Sequence, residues 1–334
     1  MHTEVLAVDA HSPQSDRIAR AAAVLRGGGL VAFPTETVYG LGALALDAVA
    51  VGRIFAAKGR PANNPVIVHI ADLKQIEQVA ATWPDAAERL ARRFWPGPLT
   101  LVVPRNADVP DATTAGGPTV AVRVPAHPVA LALLRAVGVP IAAPSANRST
   151  ELSPTLAEHV LRGLDGRIDL VLDGGPTAGG IESTVLDMTT SPPRLLRPGL
   201  IGPAELEAVI GPISRTDTTQ AGVALPSPGM LPRHYAPRTP LECSNDGGAR
   251  VQELLDAGAR VGWLTWMRPP ELASPALVLR IMPADPAGYA AHLYAALHDL
   301  DGSCLDRIVV DLPPDAEEWL AVRDRLRRAG HSPP

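Results

Sequence analysis

The spacing of apolar residues changes period repeatedly along the chain. Over residues 16–27 apolar side chains recur every three to four positions, which predicts an amphipathic helix ending at Gly27-Gly28-Gly29. "LVAF" (30–33) reads as a short apolar strand halted by Pro34, and 48–57 reads as a helix. "PVIVHI" (65–70) predicts a strand, "DLKQIEQVAATW" (72–83) a helix and "LTLVVP" (99–104) a strand. "TVAVRVP" (119–125) alternates cleanly, with Val120, Val122 and Val124 on one face and Thr119, Ala121 and Arg123 on the other. "PIAAPSAN" (140–147) and "STVLDM" (183–188) add further strands, so the first half of the chain is α/β.

Past Ile201 the texture changes. Residues 204–210 fit a short helix, but 211–240 is full of turn residues and has no sustained period, as expected of a linker or a functional lid. A second α/β unit follows. Its expected strands are "RVGWLTWM" (260–267), "ALVLRIM" (276–282) and "DRIVVDLP" (306–313), and its expected helices are 288–300 and 317–330. The pattern is that of a small three-layer Rossmann-type domain, without the GxGxxG turn that would assign it a dinucleotide. The expected division is therefore a catalytic domain over 16–203, a linker or lid over 204–238 and a small domain over 239–330.

A length of 334 residues agrees with two domains, and 46% hydrophobic with 19% charged residues is a globular composition. A net charge of −5 argues against a protein that coats nucleic acid, while leaving room for a local basic cleft. Cys243 and Cys304 form no CxxC pair, so neither a zinc ribbon nor a disulfide framework is expected, and scattered thiols fit a reducing cytoplasm. The opening "MHTEVLAVDAHSPQSDR" lacks a basic segment followed by an apolar core, so no signal peptide is expected. No apolar run approaches the roughly 20 residues of a membrane span.

Familiar catalytic signatures are missing: there is no GxxxxGK[ST], no HExxH and no GxSxG. Polar residues instead gather where strands end. In "FPTETVYGLG" (33–42) Thr35 and Thr37 flank Glu36, and Gly40 and Gly42 permit close backbone approach; a tight turn with satisfied threonines is an equal reading. In "AAKGRPANNPVIVHI" (56–70) Lys58 is a compact charge and Arg60 a planar fork, a pairing suited to phosphate oxygens. Asn64 could meet a base or sugar, and His69 points away from Val68 and Ile70. The competing reading is a solvated basic turn, since the only other lysine, Lys74, sits in an unremarkable helical stretch. Thr119 and Arg123 share a strand face about 13 Å apart, enough to span two ends of a ligand.

"PIAAPSANRSTELSPT" (140–155) offers Ser145, Asn147 and Ser153, and "DGGPTAGGIESTVLD" (173–187) is a glycine-rich loop ahead of Ser183 and Thr184. "LLRPGLI" (195–201) places Arg197 before a Pro-Gly turn. Singly, these three read as surface loops. Together, Lys58, Arg60, Arg123 and Arg197 among hydroxyls and glycines are equipment for a polyanionic ligand and a small polar co-substrate.

"PTETVYGLG", "KGRP…NP", "AVRVP", "APSAN", "GIESTVLD" and "LRPG", in that order, resemble the YrdC-type domain of threonylcarbamoyl-adenylate synthases. "SPGMLPRHYAP" (227–237) followed by a Rossmann-like unit is similar to the two-domain form of that family, and the resemblance covers about 16–330. It implies a strongly twisted open α/β sheet around a concave positive cavity. It also implies a reaction in which L-threonine and bicarbonate give a carbamate whose carboxylate attacks the α-phosphorus of ATP, releasing pyrophosphate. A partner complex would then transfer the threonylcarbamoyl group to an adenosine beside the tRNA anticodon. By the resemblance, Thr35, Thr37, His69, Arg123, Ala143 and Ser183 would hold threonine. Arg60, Asn64, Thr119, Ser145, Ser153, Arg197 and Tyr235 would hold ATP, with Tyr235 part of a lid. Lys58 would meet the phosphates beside Mg²⁺, which would be held by phosphate oxygens and water rather than by protein ligands. Lys58 and Arg60 are the expected catalytic residues, acting by position and charge without a covalent nucleophile.

The sequence departs from the family pattern at Val66, where leucine is expected, and at Leu231-Pro232-Arg233, where a more polar, lysine-rich run is expected. A carbamoyl-adenylate-forming carbamoyltransferase is the near alternative, but the extra domains and zinc-binding cysteines that accompany it are missing here. A nucleic-acid-binding module is opposed by the acidic charge and the 4% aromatic content, so no stable nucleic-acid binding is expected. A regulator with a dead site conflicts with the full set of cationic positions.

Overall fold

The computed structural model describes residues 2–61, 63–215, 234–268 and 274–330. Its larger sheet takes β1 (Glu4–Ala7), β2 (Val31–Pro34), β3 (Tyr39–Leu44), β4 (Ile67–His69), β5 (Leu99–Pro104), β6 (Thr119–Arg123), β7 (Ile141–Ala142), β8 (Leu170–Asp173), β9 (Thr184–Asp187), β10 (Arg194–Arg197) and β11 (Ser214–Arg215). They lie in the order β1-β8-β2-β3-β7-β4-β6-β5-β9-β10-β11. The sheet is mixed: β4 runs parallel to β6, while β7 lies antiparallel between β3 and β4. Its helices are α1 (Ser15–Arg26), α2 (Ala48–Lys58), α3 (Asp85–Phe94), α4 (Asp111–Thr114), α5 (Pro128–Val137), α6 (Ala157–Leu164) and α7 (Pro203–Ile210).

Register explains where polar groups collect. In β4 and β6, Val68 pairs with Val122 within the main core, and the next step pairs His69 with Arg123. Period-two alternation therefore turns both polar residues together to the face opposite the valines. Gly40 and Gly42 lie inside β3 rather than in a loop, and a Cβ on Gly42 would come within 2.9 Å of the Phe33 ring. The glycines thus let β3 pack against Phe33.

The segment 72–83, expected to be one helix, forms only a 3₁₀ turn over Leu73–Gln78. Its remainder is drawn into pairing with the end of β5: Ala80 bridges Arg105, and the Ala81 amide donates to the Pro104 carbonyl at 2.9 Å. Tertiary hydrogen bonds override the local helical preference there.

The smaller sheet is wholly parallel, in the order β12 (Leu241–Ser244), β15 (Arg307–Asp311), β13 (Val261–Thr265), β14 (Leu277–Ile281). Alternation in these strands feeds two layers. Val261, Trp263 and Val309 pack on Val251 of α8 (Gly247–Asp256), while Leu264, Ile308 and Val310 pack under α9 (Pro286–Asp301) and α10 (Leu320–Ala329). The three-layer reading of this half is what the structure shows, with a 3₁₀ turn over Glu317–Trp319 in place of the start of the expected closing helix.

The α9/α10 layer also covers the first domain, because Val38, Leu152, Ile181 and Tyr235 belong to the same buried cluster. Boundaries differ from the expected division. β1 precedes residue 16 and still belongs to the larger sheet. Residues 204–215, expected in the linker, carry α7 and β11, and Leu206 and Ile213 are buried in the main core. Residues 216–233, including the departure at Leu231-Pro232-Arg233, lie outside the described residues. No helix among the described residues is long and apolar enough to cross a membrane.

Candidate active site

The turn from β2 to β3 builds one wall. Thr35 Oγ1 donates to the Val38 carbonyl at 2.7 Å and accepts from the Thr37 and Val38 amides at 3.1 and 3.2 Å. Thr35 is thus the satisfied turn residue that fixes its neighbours, and it presents Thr37, whose Oγ1 accepts from Arg123 Nη1 at 3.1 Å. Arg123 also donates through Nε to the Gly97 carbonyl at 3.1 Å. Its Nη2 lies 2.6 Å from Glu36 Oε1, close in distance, yet the Glu36 carboxylate makes no hydrogen bond among the described residues. His69 stands beside Arg123, 3% exposed, with Nδ1 unpartnered among the described residues.

The opposite wall comes from α2 and its exit. Asp47 caps α2 by accepting from the Val49 and Ala50 amides, and Gly59, with φ of 62°, ends it in a left-handed turn. That turn delivers Lys58 and Arg60. Arg60 grips its own loop, donating to the Asn64 carbonyl (3.1 Å), Asn64 Oδ1 (2.6 Å) and the Pro65 carbonyl (2.8 Å), and its side chain lines the cavity. Lys58 is placed differently from the expectation. Its Nζ is buried behind the wall and donates to the carbonyls of Ser145 (2.6 Å) and Asn147 (2.5 Å), so it holds the loop that presents Ser145.

Arg197, at the end of β10, closes the floor. Its Nε donates to the Ser183 carbonyl at 3.1 Å, its Nη2 to Ser183 Oγ at 3.1 Å and its Nη1 to the Tyr235 hydroxyl at 3.5 Å. Ser183 Oγ also shares a 2.7 Å hydrogen bond with Thr100. His234 and Tyr235 fill the mouth, with ring centroids 4.0 Å apart and Tyr235 held at φ of 61°. That left-handed backbone is costly for a tyrosine, of order 1–3 kcal/mol, and packing on both domains maintains it. The cavity between these walls is about 40 Å³.

One cavity therefore joins Thr35, Thr37, Arg60, His69, Arg123, Ala143, Ser145, Ser183, Arg197 and Tyr235. Lys58, Asn64 and Ser153 sit just behind its walls. Thr119 is apart, in a separate depression beside Thr113 and Arg194.

Residues 23–199 match the Sua5–YciO–YrdC family, described as "Telomere recombination", and residues 201–330 match the family described as "Threonylcarbamoyl-AMP synthase, C-terminal domain". The chain belongs to the threonylcarbamoyl-AMP synthase family. It is similar to the threonylcarbamoyl-AMP synthase of Bacillus subtilis (strain 168), 47% identical over 331 residues covering 96% of this chain and 95% of that one. It is 44% identical over 337 residues to that of Pyrococcus abyssi, covering 94% of each chain. The crystal structure of P. abyssi Sua5 complexed with L-threonine superposes with a TM-score of 0.91 at 42% identity, covering 98% of each chain.

In this synthase-family chain the cavity's electrostatics follow from burial among like charges. His69 is pulled down to about 3, by burial first and then by Arg123, so it is neutral near pH 7. Burial lowers Arg60 to about 10, against an opposing pull from Tyr235 and with a lesser contribution from Arg197. Lys58 is driven well below the usual lysine range by burial and then by Arg60. Burial, then Arg60, Lys58, Arg197 and Arg325, holds His234 well below the ordinary histidine value.

Sequence reasoning missed Glu36, Glu182 and His234 as functional residues. Glu36 lies between Thr35 and Thr37, Glu182 directly precedes Ser183, and His234 directly precedes Tyr235. An acidic residue within a cationic motif, needing a charged partner, is the signal that could have found the two carboxylates.

Proposed function

We propose that this chain forms threonylcarbamoyl-AMP from L-threonine, bicarbonate and ATP, with release of pyrophosphate, as the first step of a tRNA threonylcarbamoyladenosine modification. The observation that carries the reading is the convergence of Arg60, Arg123 and Arg197 with Thr37, His69 and Ser183 on one cavity.

The chemistry needs no protein nucleophile. Threonine nitrogen adds to bicarbonate carbon with loss of water, and an oxygen of the resulting carbamate attacks the α-phosphorus as the bond to pyrophosphate breaks. The protein's task is alignment and charge neutralisation. Arg123 can pair with the α-carboxylate of threonine through its guanidinium fork, a role supported by the carboxylate of Glu36 lying 2.6 Å from Nη2. Neutral His69 can accept a proton or hydrogen bond at Nδ1. Arg60 and Arg197 face the developing charge on the phosphates. Lys58 reaches phosphate by exchanging its carbonyl partners or acts through the Ser145 loop it holds. A cavity of about 40 Å³ is far too small for ATP, so in this scheme Tyr235 and His234 withdraw as ATP enters.

Mg²⁺ enters with the phosphates in this scheme. Among the described residues no group of three or more His, Cys, Asp or Glu is gathered that could hold a metal, and the donors around the cavity suit phosphate oxygens. In this reading the product passes to a tRNA-modifying complex, so stable RNA binding is not required of this chain, and the two scattered thiols, Cys243 and Cys304, support a cytoplasmic setting.

The test is pyrophosphate release with threonine, bicarbonate, ATP or magnesium omitted in turn. Dependence on all four supports the proposal. Release with carbamoyl phosphate in place of threonine and bicarbonate overturns it in favour of carbamoyl-adenylate formation.

A further inference from the structure

We propose that Arg325, contributed by the C-terminal domain, is a positioning residue for the adenylation. Its guanidinium neutralises and fixes Glu182 in the cavity wall, so that an anionic triphosphate can be held beside Arg60 and Arg197. The inference rests on the reading of the cavity as the ATP site.

Arg325 lies on α10 and is 1% exposed, the largest of the fully buried side chains among the described residues. Its Nε donates to Glu182 Oε2 at 2.7 Å, its Nη2 to the Glu182 carbonyl at 3.4 Å and its Nη1 to Asp324 at 2.7 Å. The same Glu182 carboxylate accepts from Ser153 Oγ at 2.5 Å and from the Tyr294 hydroxyl of α9 at 3.2 and 3.3 Å. The guanidinium carbon also sits 5.2 Å from the centroid of the Tyr235 ring. One side chain from the second domain thus touches both the loop before Ser183 and the linker residue over the cavity mouth.

The domains are pressed together at this point. A Cβ on Gly180 would lie 2.2 Å from the Ala290 carbonyl oxygen, so α9 packs directly on the loop backbone.

Arg325 touches no reacting atom in this arrangement; it acts through Glu182. A bare carboxylate in a wall meant for phosphates subtracts from the attraction supplied by Arg60 and Arg197, and burial weakens screening of that repulsion. Burial alone would push the Glu182 carboxyl up, but Arg325, then Arg197, with hydrogen bonds from Ser153 and Arg325, outweighs it. Glu182 therefore stays ionised, accepts from Ser153 and orients it, while its charge is cancelled from the second domain.

The test compares Arg325→Gln, Arg325→Lys, Glu182→Gln and the double variant Glu182→Gln/Arg325→Gln. ATP and threonine requirements for pyrophosphate release, ATP affinity by calorimetry and melting temperature are measured for each. We expect Arg325→Gln to raise the ATP requirement by about tenfold or more with a much smaller change for threonine. Arg325→Lys should recover most of that loss. The double variant, with neither charge, should return within about threefold of the parent in ATP requirement, as a coupled pair does. Equal losses for ATP and threonine that track melting temperature in all four variants would leave Arg325 a structural strut and overturn the proposal. Should Arg325→Gln fail to fold, Glu182→Gln and the double variant decide: retained ATP affinity supports the proposal, and lost affinity in both overturns it. Arg60→Ala serves as the control for the site itself, since undiminished ATP affinity there would defeat the reading of the cavity independently of Arg325.

Discussion

Arg123 and Glu36 face each other at 2.6 Å, a guanidinium and a carboxylate with side chains 4% and 16% exposed. The pair places a carboxylate against the arginine proposed to receive threonine's own carboxylate. Arg123→Ala removes a charge-assisted partner usually worth about 1.5–3 kcal/mol, so the threonine requirement should rise roughly 10- to 100-fold. The ATP requirement should move much less. Steady-state kinetics with each substrate varied decides; an equal rise for both would remove Arg123 from the threonine site.

Arg60 holds Asn64 and Pro65 with three hydrogen bonds while lining the cavity. Arg60→Ala should reduce pyrophosphate release at least about 100-fold, the scale of losing a preorganised cation at developing charge. It also strips buried acceptors of their donor, at about 1–3 kcal/mol of stability. Circular dichroism should show a folded protein with a lower melting temperature. Turnover near the parent's would exclude Arg60 from the reaction.

Buried and half-buried histidines make stability depend on pH. His69 and His159 are pulled to about 3 and His298 to about 4, each by burial first. The unfolded chain takes up their protons below its ordinary value near 6.5, whereas the folded chain resists until about 3 to 4. Stability should therefore fall as pH drops through that window, by up to about 1.4 kcal/mol per pH unit for each group. His159 and His298 stack across the domain interface with centroids 3.8 Å apart. His298→Phe keeps a stacking ring without the titration, so the drop in melting temperature between pH 7 and pH 5 should shrink. An unchanged drop would show that His298 does not contribute.

Gly180 tests the domain contact directly. Its φ of 71° and the 2.2 Å approach of its absent Cβ to the Ala290 carbonyl leave no room for a side chain. Gly180→Ala should destabilise by roughly 1–3 kcal/mol through overpacking. Because Glu182 is two residues away, activity should suffer with stability. Chemical denaturation measures the loss, and a neutral result would mean the interface yields easily.

Much of this site was legible in the chain because its residues lie in short ordered motifs at strand ends. Alternation in "TVAVRVP" separated Arg123 from the valines, and Gly59 after α2 brought Lys58 and Arg60 into one turn. Local covalent geometry suffices for such statements, since strand period and turn chemistry act over a few residues. Thr119 shows the limit: it shares a strand face with Arg123, yet four residues along a strand carry it out of the cavity and into another depression.

What only the tertiary structure decided concerns partners far apart in sequence. That Lys58 donates to the Ser145 and Asn147 carbonyls, that Glu36 rests on Arg123, and that Arg325 reaches Glu182 across 143 positions depends on how the two sheets and their helices pack. A buried charge must find an opposite charge or a hydrogen bond, but which one it finds is settled by the shape of the folded core rather than by its neighbours in the chain.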